Sequence, residues 1–252
     1  MPERVTWVGH ATVLVEMDGV RLLTDPFLRA RLGHIRRHAA PPAAGVAERI
    51  DAVLISHAHA DHLDVPSLRR LGRDAVLVVP RGAARVVRRL SFAQTAELAA
   101  GDHIEIGPLT IDAVAASHGG RRWPLGRDAD ALGYVVTGSR RVYFAGDTDA
   151  VEEELGELDV ALLPVWGWGP SLGPGHMGPE AAARAAALLR PRVAVPVHWG
   201  TLFPVGRARR HGRLLVDPPR TFAQRVAELA PDVRVEILEP GAGLDLAARV
   251  AR

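Results

Sequence analysis

The sequence predicts an α+β fold, two sheets covered on their outer faces by helices. Two observations lead there. Short β-branched and aliphatic runs recur along the whole chain, and helical patterns fall between them instead of gathering at one end. The early strands are 4–8 (RVTWV), 12–17 (TVLVEM), 20–24 (VRLLT) and 52–56 (AVLIS). Asp18-Gly19 between the second and third is a tight-turn signal. Later strands are expected at 75–79, 103–106, 109–115, 133–137, 141–145, 159–164, 192–197 and 233–238. Helices are expected at 65–72, 81–90, 178–190 and 219–230; the third follows Pro179 with an Ala/Leu/Arg run of strong helix formers. The Arg-rich stretch 25–50, with PPAAG inside it, reads as a long loop.

Composition narrows the function. The chain has 252 residues, 48% of them hydrophobic, and a formal net charge of +2, so it is not a strongly cationic nucleic-acid binder. All 31 basic residues are arginine, which with the abundant Ala, Gly and Pro is the mark of a GC-rich coding bias. There is no cysteine. Disulfides, thiolate ligands and a cysteine nucleophile are excluded, and any metal site must use histidine and carboxylate. The N-terminus lacks a signal-peptide pattern and no apolar run is long enough to span a bilayer. A single soluble cytoplasmic domain over 1–252 is expected.

The strand 52–56 runs into SHAHADH, residues 56–62. Residues two apart in an extended segment face the same way, about 6–7 Å apart, so His57 and His59 can converge on one ion. Asp61 and His62 follow where the chain turns toward a helix and can face a second. Ala58 and Ala60 are small enough for a tight bend. Four groups are too few for two ions that keep a place for water. Other strand ends offer more: His118 after 109–115, Asp147 after 141–145 and His198 after 192–197. Sheet edges of this kind carry chemistry in α/β folds. A lone histidine after a strand is ordinarily a surface residue; the crowding at 57–62 is what recruits these three.

The order H-x-H-x-D-H, a lone His, an Asp in GDT and a late His resembles the metallo-β-lactamase-fold hydrolases over nearly the whole chain. VTWVGHATVLVEMDGVRLLTDP, AVLISHAHADHLD, FAGDT and HWGT resemble the N-acyl-phosphatidylethanolamine phospholipase D branch, with ascorbate-phosphate lactonases a related group. The resemblance implies a four-layer αβ/βα sandwich of two mixed sheets. It implies His57, His59 and His118 on one divalent ion, Asp61, His62 and His198 on another, and Asp147 bridging both. Two such ions share a water and lower its pKa toward neutrality, giving a hydroxide for attack on phosphorus or carbonyl. Zinc suits the donor set; Mn²⁺ and Fe²⁺ also accept it.

The leading expectation is a binuclear metal-dependent hydrolase acting on a phosphodiester or other phosphate-bearing, anionic small molecule, with Asp61 and His176 as catalytic residues. Asp61 doubles as a ligand. His176 sits in a Gly/Pro loop where related enzymes place a substrate-contacting or leaving-group-protonating histidine. The resemblance places His10 near the pocket, supporting a ligand or contacting substrate, against the bland reading of a hydrogen-bonded structural histidine. Asp25 is expected to orient a ligand imidazole, against that of a turn cap before Pro26. The loop 164–175, with two of the five tryptophans, could wall an apolar pocket. The arginines of 29–38 could grip phosphate, although solvated faces are the commoner fate of such clusters. A lactonase of the same fold is the alternative. An RNA-processing nuclease, a di-iron redox protein (whose relatives carry Glu where this chain has His59) and a non-catalytic metal module rank lower. A homo-oligomer is possible.

Overall fold

The computed structural model describes residues 3–119 and 128–246. The chain opens with an antiparallel meander, β1 (Arg4–Gly9), β2 (Thr12–Met17) and β3 (Val20–Thr24). After a small hairpin of β4 (Arg31–Leu32) and β5 (Ile35–Arg37) come three strands that add in parallel to β3: β6 (Ala52–Leu54), β7 (Val76–Pro80) and β8 (Gln94–Leu98). Two short helices, α1 (Val65–Leu68) and α2 (Ala84–Val87), cross between them.

The second half repeats this plan. β9 (His103–Ile106), β10 (Leu109–Ala115), β11 (Leu132–Thr137) and β12 (Arg141–Phe144) pair antiparallel. β13 (Val160–Pro164) and β14 (Val193–Val197) then add in parallel, with α3 (Pro179–Leu189) between them. β15 (Leu202–Pro204) leaves this sheet to pair with β5. After α4 (Ala208–His211) and α5 (Asp217–Leu229), β16 (Arg234–Val235) joins β14, and β17 (Gly243–Asp245) returns to the edge of the first sheet beside β1. The result is two seven-stranded mixed sheets and a three-stranded flap.

Strand alternation builds the layers. Leu22, Leu54 and Val78 point into the core shared with the second sheet, where Ile111, Ala113 and Tyr134 meet them. Their neighbours Leu23, Val53 and Leu77 point outward onto Leu68 of α1 and Val87 of α2. The helices α3 and α5 pack on each other over the outer face of the second sheet through Ala182, Ala186, Phe222 and Val226. This is the expected four-layer αβ/βα sandwich.

Several expectations are corrected. The stretch 25–50 is not a plain loop: it holds β4, β5 and a 3₁₀ turn at Ala44–Ala47. Its strands are too short and too arginine-rich to show alternation, and they gain order from β15, far away in sequence. β8 was missed because its edge position leaves it mostly exposed and polar. β15 and β17 are three residues each and were also missed. The expected helices 65–72 and 81–90 shrink to single turns, and the strand 233–238 to two paired residues.

Candidate metal centre

Each group singled out from the sequence lies beyond a strand end on the same edge of the sandwich. His57 follows β6, His118 follows β10, Asp147 follows β12 and His198 follows β14. Among the described residues, four sets of these side chains have donor atoms mutually within 4.8 Å: His57, His59 and His118; His10, Asp61, His62 and His198; Asp25, His57 and His62; and His118, Asp147 and His176. Asp147 stands between the sets. Its Oδ2 lies 3.1 Å from His62 Nε2, 3.3 Å from His176 Nε2 and 3.9 Å from His57 Nε2, and its Oδ1 lies 3.3 Å from His198 Nε2.

The hydrogen bonds fix which ring nitrogen carries a proton. His62 Nδ1 faces Asp25 Oδ2 at 2.7 Å, so it donates there. His198 Nδ1 donates to the Trp166 carbonyl at 2.9 Å, and His118 Nδ1 to the Gly175 carbonyl at 2.6 Å. Ser56 Oγ gives its proton to Asp25 at 2.5 Å and therefore accepts from His57 Nδ1 at 3.0 Å. Each neutral ring is then left with a lone pair on Nε2. The inward nitrogens converge: His62 Nε2 is 3.2 Å from His198 Nε2, and His118 Nε2 is 3.1 Å from His59 Nδ1. Among the described residues, His57 Nε2 and Asp147 Oδ1 are buried with no hydrogen-bond partner. Lone pairs and carboxylate oxygens facing inward call for cations.

The electrostatics say the same. Burial raises the Asp147 carboxyl, but His198 and His62 outweigh it and hold the pKa well below the usual range. Asp61 is likewise held down by His62 and His10 against its burial. Burial pulls His198 down to about 3 and His57 well below 6.5, so both rings are neutral donors. Burial also disfavours charge on His62, yet Asp147, Asp61 and Asp25 prevail and raise it well above 6.5. With protein charges alone, a proton sits where three carboxylates demand a cation.

The backbone is bent to achieve this. His10, Asp25 and His198 adopt φ of 56°, 33° and 63°, a region that residues other than glycine seldom occupy. His10 Nε2 donates to Asp61 Oδ2 at 3.0 Å, while its carbonyl accepts from the His198 amide at 3.0 Å and from Trp7 Nε1 at 2.8 Å. Its own amide donates to Thr201 Oγ1 at 2.8 Å. Asp25 is no mere turn cap, since it also accepts from the Ser56 amide at 2.7 Å.

The sequence did not single out Ser56, Thr201 or the carbonyls of Trp166 and Gly175. Ser56 and Thr201 carried a signal, as immediate neighbours of the cluster and of His198; a carbonyl has no sequence signature. Trp168 packs with Phe27, Ile35 and Leu202 of the flap, so the tryptophan loop braces the site. Of the flap arginines, Arg29 is tied to Asp64 by two hydrogen bonds and Arg37 is buried against the Phe27 carbonyl. Neither is available to grip phosphate. His34, His38 and His103 are exposed, as expected, and His211 is half-buried.

Residues 20–199 match the Beta-lactamase superfamily domain. The chain belongs to that superfamily. A metal-dependent hydrolase of Methanopyrus kandleri is 36% identical over 94% of this chain and 97% of its own. An N-acyl-phosphatidylethanolamine-hydrolyzing phospholipase D of Caenorhabditis elegans is 30% identical over 80% of this chain and 64% of its own. A solved metallo hydrolase of the archaeon Ignicoccus hospitalis superposes with a TM-score of 0.70 at 26% identity, covering 96% of this chain and 97% of the other. The chain carries the metallo-β-lactamase fold. Among the described residues, no helix is long and apolar enough to cross a membrane.

Proposed function

We propose that the chain is a metal-dependent hydrolase, one catalytic domain over residues 1–252, that holds two divalent cations and acts on a phosphodiester or other phosphate-bearing small molecule. The observation carrying this reading is the convergence of His62 Nε2 and His198 Nε2, 3.2 Å apart and 3.1 and 3.3 Å from the Asp147 carboxylate oxygens. His57, His59 and His118 would hold one ion and Asp61, His62 and His198 the other, with Asp147 shared. The all-His/carboxylate set fits zinc, manganese or iron. Bound there, the ions would supply Lewis acidity and bring the pKa of a water toward neutrality.

The residues around them have separate tasks. Asp25 fixes His62 through Nδ1 and, through Ser56, the tautomer of His57. His10 holds the Asp61 carboxylate ionised and oriented. His176 Nε2 lies 3.3 Å from Asp147 Oδ2, at the rim of the cluster, where it would give a proton to a leaving group. General-acid help of that kind contributes about 10²–10⁴-fold. The phosphodiester preference rests on likeness to the phospholipase D relative. A lactonase remains the second reading, because the same donor set serves carbonyl attack.

Elemental analysis of the purified protein should find two equivalents of transition metal. A panel of bis-p-nitrophenyl phosphate and simple lactones, with Zn²⁺ or Mn²⁺ added, should show phosphodiester turnover. Turnover of lactones alone would move the assignment to the second reading, and a protein that takes up no metal would refute both.

A further inference from the structure

We infer that the flap and the segment after it form a docking face for an anionic lipid surface. Residues 29–38 and 205–216 hold eight of the 31 arginines and none of the 29 acidic residues; with Arg29 paired to Asp64 and Arg37 buried, six of the eight remain for a partner. The fold joins these two segments. β5 pairs with β15, matching Arg36 to Phe203, and the Val205 amide donates to the His34 carbonyl at 2.9 Å. On the hairpin, Arg31 stands directly opposite Arg36. Like charges in that register destabilise a β-ribbon, and no carboxylate relieves them: among the described residues, neither has an ion-pair partner within 4.0 Å, and both are exposed. Arg207, Arg209, Arg210 and Arg213 are exposed and likewise unpaired. The charge of Arg36 reaches His38, whose pKa is lowered first by burial and then by that guanidinium.

The face also carries apolar side chains. Among the described residues, Val205 at 53% and Val216 at 42% are two of the four exposed large hydrophobic residues. A cationic field with exposed aliphatic groups suits a bilayer's headgroup layer, where each arginine adds to attraction and the apolar tips enter the acyl boundary. A nucleic-acid strand would be favoured by exposed aromatic platforms, and neither segment contains Phe, Tyr or Trp. β15 begins four residues after His198, so docking here would set the candidate metal centre close to the surface. The inference itself does not depend on what that centre does.

The test is co-sedimentation of the full chain with phosphatidylglycerol vesicles, phosphatidylcholine vesicles and, separately, retention of a single-stranded DNA oligomer. Phosphatidylglycerol binding that falls with salt, without phosphatidylcholine binding, is the expected result. The triple variant R31Q/R36Q/R209Q should weaken it by about 100-fold, while R85Q/R88Q/R89Q, which removes equal charge from exposed positions on α2 and just after it, should leave it within about threefold. Thermal melting verifies that both variants stay folded. The inference is overturned by absent phosphatidylglycerol binding, by equal loss in the two variants, by an unchanged flap variant, or by DNA retained more tightly than the vesicles at equal salt.

Discussion

The two sheets follow one strand plan, yet they hold their metal-facing groups in different ways. The first delivers His57, His59, Asp61 and His62 in one burst after β6, and side chains orient them: Asp25 for His62, Ser56 for His57 and His10 for Asp61. The second delivers His118, Asp147 and His198 one at a time. There the imidazoles are oriented by main-chain carbonyls of the tryptophan loop, Trp166 for His198 and Gly175 for His118. A carboxylate partner raises ligand basicity and is lost by a single substitution. A carbonyl survives any change of its own side chain and fails only when the backbone moves.

That contrast makes a graded set of outcomes. Asp147→Ala removes the group common to both sides; metal content measured by elemental analysis should fall to one equivalent or none, and turnover by roughly 10³-fold or more. If turnover survives, Asp147 is not shared between two ions. Asp25→Ala comes next. It strands the Ser56 amide and hydroxyl and the His62 Nδ1–H in a fully buried place. Urea melts should show a loss on the order of 3 kcal/mol, and metal affinity should drop about 10–100-fold. An Asp25 variant with wild-type affinity would abolish the distinction between the sheets.

Gly175→Ala probes the carbonyl side. Gly175 has φ +75°, and a Cβ there would meet His118 Nδ1 at 2.7 Å. The loop must shift, so an ion held by His57, His59 and His118, as proposed, should bind about tenfold more weakly, with a second ion unaffected. A metal titration resolving two constants would show it. Trp166→Phe should have the smallest effect, under about threefold on either constant, because the carbonyl facing His198 is retained. A loss as large as that of Gly175→Ala would mean that the indole, not the main chain, orients His198.

The same contrast explains what could be read in advance. Every long strand has alternating or continuous apolar residues, and their order predicted two sheets under helices. β4, β5, β15 and β17 were invisible because two or three residues carry no period; β5 and β15 pair with each other, and β17 with β1, across long stretches of sequence. Residues 57–62 were legible because four donors within one turn are a local pattern. His10 and Asp25 were placed near the site, but their tasks emerge only from the contacts with Asp61, Ser56 and His62.

The sequence by itself determined the donor chemistry, histidine and carboxylate without thiolate, and the strand ends that bear it. Only the tertiary structure decided that those ends meet, which nitrogen of each ring faces inward, and that a loop of glycines and tryptophans supplies the orienting carbonyls. The physical reason is range: side-chain type and strand period are local properties of the chain, whereas a tautomer is set by whichever acceptor the fold brings to the other side of the ring.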